Sequence, residues 1–301
     1  MYGFQPAYLE SFTKGTLKEK AETGRRILQS CTLCPRECAV NRLSGETGIC
    51  KTAQTAIVAS YHPHFGEEAP LVGTNGSGTI FFAYCNLLCN FCQNYDISYL
   101  GHGRNVSAEA LAGIMLSLQD EGCHNINFVT PTHVVPQILS ALEIAAGKGL
   151  SLPLIYNTGA YDNVETLKLL DGIIDIYMPD FKFWNPETAR MTCRAPDYPE
   201  KACLALKEMH RQVGDLIIDK SGIARRGLLI RHLVMPNNLS GTPEIMSFIA
   251  KEISTESYVN IMPQYRPCGE ADKIKELARY PSEKEIQEAL ESAVKAGLGR
   301  I

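Results

Sequence analysis

A chain of 301 residues with 45% hydrophobic and 21% charged residues has an ordinary globular composition, and length enough for one large α/β domain or two modest ones. Its net charge of −4 gives no global attraction to nucleic acid, and no apolar run of about 18 residues offers a membrane span. The opening MYGFQPAYLE has neither a basic start nor an apolar core, so no secretory leader is expected. Seven of the eleven cysteines fall in two tight groups, which points to metal in a reducing cytoplasm rather than to disulfides.

In chain order, residues 1–30 read as an extended lead followed by a short helix, with Leu17, Ala21 and Ile27 as its apolar contacts. Residues 31–50, CTLCPRECAVNRLSGETGIC, place Cys31, Cys34 and Cys38 close together and bring in Cys50 after a Gly-containing turn. Four thiolates at this spacing can form a tetrahedral zinc site or hold an iron–sulfur cluster; free or redox-active thiols are the remaining option. The segment has few apolar residues, so a bound metal would supply folding energy that its core cannot. Thr55–Ala59 is expected to be a short strand. His62 and His64 follow two residues apart, on one face of an extended chain, with Glu67 and Glu68 behind them. A surface loop or a satisfied imidazole pair accounts for them; a metal pair is the sharper alternative. Gly73–Gly78 lacks the Lys-Ser/Thr of a phosphate-binding loop and reads as a turn.

The stretch TIFFAYCNLLCNFCQN, residues 79–94, carries Cys85, Cys89 and Cys92 at C-x3-C-x2-C spacing directly after the apolar run Thr79–Ala83. This pattern is that of a buried strand ending in a loop. Iron–sulfur clusters take four thiolates as a full set, so three ligands leave one iron open. A structural zinc loop that borrows Cys50 or Cys268 as its fourth ligand is the plainer alternative.

Beyond this loop, helices and strands alternate. Helices are predicted over Ala108–Asp120 with Ser107 as N-cap, Val135–Ala146, Asn163–Leu170, from Pro186 to Arg190, Ala202–Val213, Pro243–Ile253 and Glu283–Ala296. Strands are predicted over Ile126–Thr130, Leu152–Asn157, Ile173–Met178, Gly227–Val234 and Tyr258–Pro263. Such alternation implies parallel strands with helical crossovers, and ligands then sit beyond the carboxyl ends of the strands. Length alone also allows a full eight-stranded barrel.

CNLLCNFC after an apolar strand, with Phe91 just before the third cysteine, resembles the cluster loop of the radical S-adenosylmethionine (SAM) superfamily. Over residues 70–268 the chain is similar to the branch of pyruvate formate-lyase activating enzyme, in which an HPHFGEE-like stretch and an N-terminal four-cysteine segment also recur. The resemblance implies an α/β fold, a partial (β/α)6 barrel over residues 71–301 with a C-terminal helix, and a small Cys-rich extension over residues 1–70. It implies a 4Fe-4S cluster on Cys85, Cys89 and Cys92 whose open iron binds SAM. Reductive cleavage to a 5′-deoxyadenosyl radical and hydrogen abstraction from a substrate follow, the substrate in activating enzymes being a glycine of a partner protein; a small-molecule- or peptide-modifying radical enzyme is the equal alternative. An electron donor such as flavodoxin or ferredoxin is implied too, and Cys31, Cys34, Cys38 and Cys50 become an auxiliary cluster site, with zinc as the alternative.

The same resemblance marks residues at the strand ends. Thr130 and Thr132 stand where the family contacts the SAM amino group, although the glycines and acid usual there are replaced. Asn157 and Thr158 stand where it uses the SAM carboxylate or ribose. Asp180 and Lys182 resemble the D-x-K segment of activating enzymes, with a buried structural pair as the plainer reading. Arg231 either offers a bidentate fork to a SAM or substrate carboxylate or lies in a core ion pair, and Gln264 lies where adenine or substrate is contacted. Cys268 is a candidate hydrogen-atom donor, although a lone cysteine is most often a small buried hydrophobe; Cys123, Cys193 and Cys203 read as fillers. The alternative function class is a non-catalytic iron–sulfur electron carrier or metal-binding module, which would take an electron and leave SAM intact. A zinc-dependent nucleic-acid binder is a third, disfavoured by the acidic balance.

Overall fold

The computed structural model describes residues 4–301; the first three residues of the expected extended lead lie outside the described residues. The expected short helix is α2 (Thr16–Ile27); the lead before it is helical instead of extended from residue 7, as α1 (Ala7–Thr13). Tertiary anchors explain the difference. The Ala7 N–H donates to Asp175 Oδ1 at 2.9 Å and Ser11 Oγ donates to the Gly172 carbonyl at 2.8 Å, while Tyr8, Leu17 and Ala21 are buried. Ile27, expected as a third contact, is half-buried.

The strands are β1 (Ala56–His64), β2 (Ser77–Phe82), β3 (Arg104–Val106), β4 (Ile126–Val129), β5 (Leu154–Thr158), β6 (Ile176–Pro179), β7 (Ile217–Ile218), β8 (Ala224–Leu233) and β9 (Tyr258–Met262). β2, β4, β5, β6, β8 and β9 pair in that order, each parallel to the next. These are the six strands the alternation predicts. β1 adds antiparallel to the free edge of β2, and β3 to β1. β1 runs five residues past its expected end because a bulge between Val58 and Ser60 lets pairing continue to His64↔Ser77.

The later helices are α3 (Ala69–Val72), α4 (Tyr95–Ser98), α5 (Ala108–Asp120), α6 (Val135–Gly147), α7 (Val164–Leu169), α8 (Pro186–Cys193), α9 (Tyr198–Val213), α10 (Thr242–Phe248) and α11 (Glu283–Ala296). The single helix expected over Pro243–Ile253 is α10 followed by a π-helical turn, Ile249–Ile253, closed by the Ser254 N–H on the Ile249 carbonyl at 3.0 Å.

Alternation along the strands separates two cores. Ile80, Phe128, Tyr156, Tyr177 and Leu228 form one rung and belong to the large cluster shared with the helices. Ile155, Ile176, Met178 and Leu229 point the other way and form a separate cluster with Leu71 of α3. Leu71 therefore sits inside the curl of the sheet. Asn260 of β9 donates to Glu68 Oε1 at 2.9 Å, so the β1–β2 connection spans from the first parallel strand to the last. The structure is an open six-stranded barrel plugged by this connection.

Candidate active site at the strand mouths

The loop after β2 begins with Tyr84 at φ 65° and bends again at Leu88, φ 55°. Both are left-handed conformations that cost non-glycine residues energy and recur at functional loops. The loop is held by the Tyr84 N–H on the Ile97 carbonyl at 2.9 Å and by the Tyr99 hydroxyl on the Leu88 carbonyl. The Leu87 N–H donates to Cys85 Sγ at 3.3 Å, and Ser98 Oγ to Cys92 Sγ at 3.2 Å. Burial pushes the Cys85 thiol up to about 12 and raises Cys92 as well. Cys89 is raised further, chiefly by the neighbouring Cys193 thiol and then by burial. Left alone, these groups would stay protonated; a nearby cation is what makes the thiolate stable. Three thiols on one loop, Cys89 buried and Cys85 and Cys92 half-buried, each already accepting a hydrogen bond, fit an iron–sulfur cluster in which the iron supplies that charge.

Cys193 is buried in the large core cluster, as a filler would be, and its sulfur also lies 3.3 Å from Cys89 Sγ. The two are 104 residues apart, so no local spacing could signal the contact. Phe91 is buried and packs edge-on to Phe183 and against Tyr265, at ring separations of 5.8 and 5.9 Å. Cys268 is half-buried on a segment that docks on this loop through the Glu270 N–H and the Asn90 carbonyl, 2.7 Å apart. Gln264 is exposed, and its backbone carbonyl accepts from Gln93 at 3.4 Å.

The four-cysteine segment lies against the same loop. Cys31, Cys34, Cys38 and Cys50 line one enclosed pocket together with Arg42. Arg36, between the second and third of these cysteines, donates to the carbonyls of Asn86 (3.0 Å), Leu87 (3.3 Å), Cys193 (2.8 Å) and Arg194 (2.7 Å). Arg42 is buried and donates to the carbonyls of Ala53 and His133 at 3.0 and 2.8 Å. His133 in turn donates from Nε2 to Ala83 at 3.0 Å, and burial lowers its imidazole to about 4, so it is neutral. Burial also pushes Cys34 up to about 12.

At the strand mouths Arg231 is the hub. Its Nε donates to Asp180 Oδ1 at 2.6 Å and its Nη2 to Asn157 Oδ1 at 2.8 Å. Its Nη1 faces Glu67 and Glu68 at 3.4 and 3.9 Å. Lys182 Nζ holds the other Asp180 oxygen at 2.6 Å. Burial would raise the Asp180 carboxyl, but Arg231 and Lys182 together hold it below the usual range. Burial would likewise lower Lys182, and Asp180 and the Cys89 thiol outweigh it, so the ammonium stays charged. Asn157, Asp180, Lys182 and Arg231 are thus brought together.

The threonines are placed differently. Thr132 and Thr158 are buried and both donate to Asp162, at 2.8 and 2.6 Å, with Tyr156 OH on the same carboxylate at 2.9 Å. Their hydroxyls are spent on a closed internal network. Thr130 turns the chain at φ 61° and its N–H donates to the Asn157 carbonyl at 2.9 Å. His62 and His64 both lie against Phe81, at 5.8 and 5.9 Å, and His64 Nδ1 is 3.3 Å from Glu67. Among the described residues no three His, Cys, Asp or Glu side chains are gathered as a single ion would need; a cluster, with its metals at separate corners, spaces its thiolates more widely. A cleft of about 630 Å³ lined by Trp184, Lys207, Glu244 and Phe248 opens between α9 and α10 and shares none of the mouth residues.

The family model "Radical SAM superfamily" matches residues 79–249. A protein of Methanocaldococcus jannaschii, described only as uncharacterized, is 33% identical over 303 residues, covering 97% of this chain and 82% of its own. Two solved structures are similar at 12% identity. A radical SAM methyltransferase from Sphaerobacter thermophilus has a TM-score of 0.49, with 79% of this chain and 75% of that one covered. Methylornithine synthase has a TM-score of 0.46, with 98% and 75% covered. With six parallel strands, a three-cysteine loop after the first of them and a family match across more than half its length, the chain belongs to the radical SAM superfamily and is an enzyme.

Proposed function

We propose that Cys85, Cys89 and Cys92 hold a 4Fe-4S cluster, and that SAM binds between this loop and the strand mouths. The observation that carries this is the convergence of the three loop thiols, Cys89 buried and Cys85 and Cys92 half-buried, with Lys182, Asp180, Asn157 and Arg231 at the carboxyl ends of neighbouring strands. When bound, the reduced cluster supplies the electron that cleaves SAM to methionine and the radical that removes hydrogen from the substrate. The protein's part is orientation and exclusion of water. Leu87 N–H and Ser98 Oγ offset charge on two of the sulfurs. Phe91, Phe183 and Tyr265 keep water from one side of the loop. The Lys182 ammonium, fixed by Asp180, faces Cys89 and suits a carboxylate partner. Arg231 and Asn157 hold one another in register across β8 and β5.

A second iron–sulfur cluster is proposed at Cys31, Cys34, Cys38 and Cys50, supported by two guanidinium groups beside four thiols that carry negative charge once metal-bound; a single zinc ion would need the thiols gathered more closely than they are. The resemblance to activating enzymes supports a peptide or protein as hydrogen donor, a glycine among them, with flavodoxin or ferredoxin as the reductant.

The test is anaerobic reconstitution and dithionite reduction with SAM, followed by measurement of methionine and 5′-deoxyadenosine. Wild type is expected to form both, and Cys89→Ala neither. A fully loaded, reducible protein that leaves SAM intact would sink the proposal. Iron and zinc contents of Cys31→Ala against wild type then identify the N-terminal metal.

A further inference from the structure

Inside the barrel mouth the charges do not balance. Three carboxylates, Glu67, Glu68 and Asp180, face two cations, Arg231 and Lys182. Asp180 takes the short contacts, 2.6 Å to each cation. Glu67 and Glu68 are left sharing one guanidinium nitrogen at 3.4 and 3.9 Å, although both side chains are only 7% exposed. Buried carboxylates with so little compensation are costly unless something pairs with them. His64 meets Glu67 from the more exposed side at 3.3 Å, leaving Glu68 to Asn260 alone at short range.

Unpartnered polar atoms mark the same interior. Glu68 Oε2 is buried with no hydrogen-bond partner, and so are both the Oδ1 and Nδ2 of Asn127, a fully buried residue. Asn127 pairs in register with Thr79 and Ile155, and Ile155 belongs to the interior cluster. Its neighbour Phe128 faces the helices and stacks on Phe82. The Asn127 amide therefore points into the barrel. Buried polar atoms of this kind call for a partner from protein, water or ligand.

We propose that Glu67 and Glu68, carried into the barrel by the β1–β2 connection, form with Asn127 a recognition site for a cationic substrate group, a primary ammonium or guanidinium. It rests on the radical SAM reading above and names the substrate chemistry of that same mouth. The ligand's N–H groups donate to Glu68 Oε2 and Glu67, and a neighbouring polar group meets the Asn127 amide. A small metal cation is the poorer occupant, because Asn127 also offers a donor. A carboxylate is refused by the two glutamates.

Direct binding tests this without relying on turnover, so a failure here and a failure of SAM cleavage are separable. Reconstituted protein is titrated with cadaverine and with the dicarboxylate glutarate, of similar length, by isothermal calorimetry. Cadaverine is expected to bind, glutarate not, and Glu68→Gln to weaken cadaverine at least about tenfold, the scale of one lost charge-assisted contact. Asn127→Leu, which removes the unsatisfied amide at similar volume, is expected to weaken binding and raise the melting temperature by a few degrees, roughly the shift a small gain in stability gives. Failure of cadaverine to bind, equal binding of glutarate, or full affinity in Glu68→Gln overturns the proposal. Asn127→Leu that loses stability while keeping affinity overturns the role of the amide.

Discussion

Arg36 gathers four main-chain carbonyls from two distant parts of the chain onto one guanidinium. Charge-assisted hydrogen bonds contribute about 1.5–3 kcal/mol each when buried, with heavy overlap when shared. Arg36→Ala is expected to destabilise by about 2–4 kcal/mol in urea denaturation and to speed iron loss from the three-cysteine loop. Arg36→Lys should recover little, because an ammonium cannot fork to four acceptors. Asp175 makes a different prediction. Burial raises its carboxyl from 3.8 to about 7 even though it accepts from the Leu154 and Ala7 N–H groups. Between those values the folded protein keeps a proton that the unfolded chain has lost, so stability falls as pH rises. Its share is about 1.4 kcal/mol per pH unit. Asp175→Asn is expected to remove that slope between pH 5 and pH 7 in denaturation curves; an unchanged slope would assign it to other groups.

At the scale of elements, α11 shows how much local chemistry can be read ahead. Its bounds match the predicted ones, and its start is a full capping box in which Ser282 accepts from the Glu285 N–H and Glu285 reaches back to the Ser282 N–H. Arg279 lies 2.8 Å from Glu285, and its hydrogen bond holds that carboxyl well below the usual range. Ser282→Ala is expected to cost about 1 kcal/mol, measured by thermal unfolding, with no effect on SAM cleavage. α5 was legible in the same way, through Ser107 and its apolar spacing. The end of β1 is not legible in the sequence, because its last residues, Tyr61 to His64, follow no simple alternation; they are held by pairing to β2 across a bulge. Nor is α1, because what orders it, Asp175 and Gly172, lies more than 150 residues away. The cysteine loop and the polar strand ends were visible because ligands cluster after parallel strands. Thr132 and Thr158 were read by the same rule, yet their hydroxyls turn to Asp162, a preference no spacing reveals. Asn127 gave no signal in a run of strand residues.

For the molecule as a whole, the N-terminal segment and the barrel behave as one unit. Arg36 and Arg42 join the four-cysteine pocket to the loop and to His133, and Asn163 Nδ2 donates to the Thr32 carbonyl at 3.2 Å. Removing the metal proposed for this segment, or the Cys34→Ser change, is expected to open residues 31–50 to limited proteolysis and to lower the melting temperature while the barrel helices keep their circular dichroism. A segment equally resistant with and without metal would mean that the two arginines alone order it.

The length of these connections bears on how the protein is made. Ala7 is anchored by a residue 168 positions on, and Arg36 by a carbonyl 158 positions on. At synthesis rates of roughly 5–20 residues per second, the four N-terminal thiols spend on the order of ten seconds or more outside the ribosome before their docking surface exists. For that interval they are flexible, solvent-exposed ligands on a nascent chain. Any metal they bind, as proposed above, would thus be open to selection by the cell's free-metal pool and its delivery proteins during translation, before the barrel can contribute to the choice.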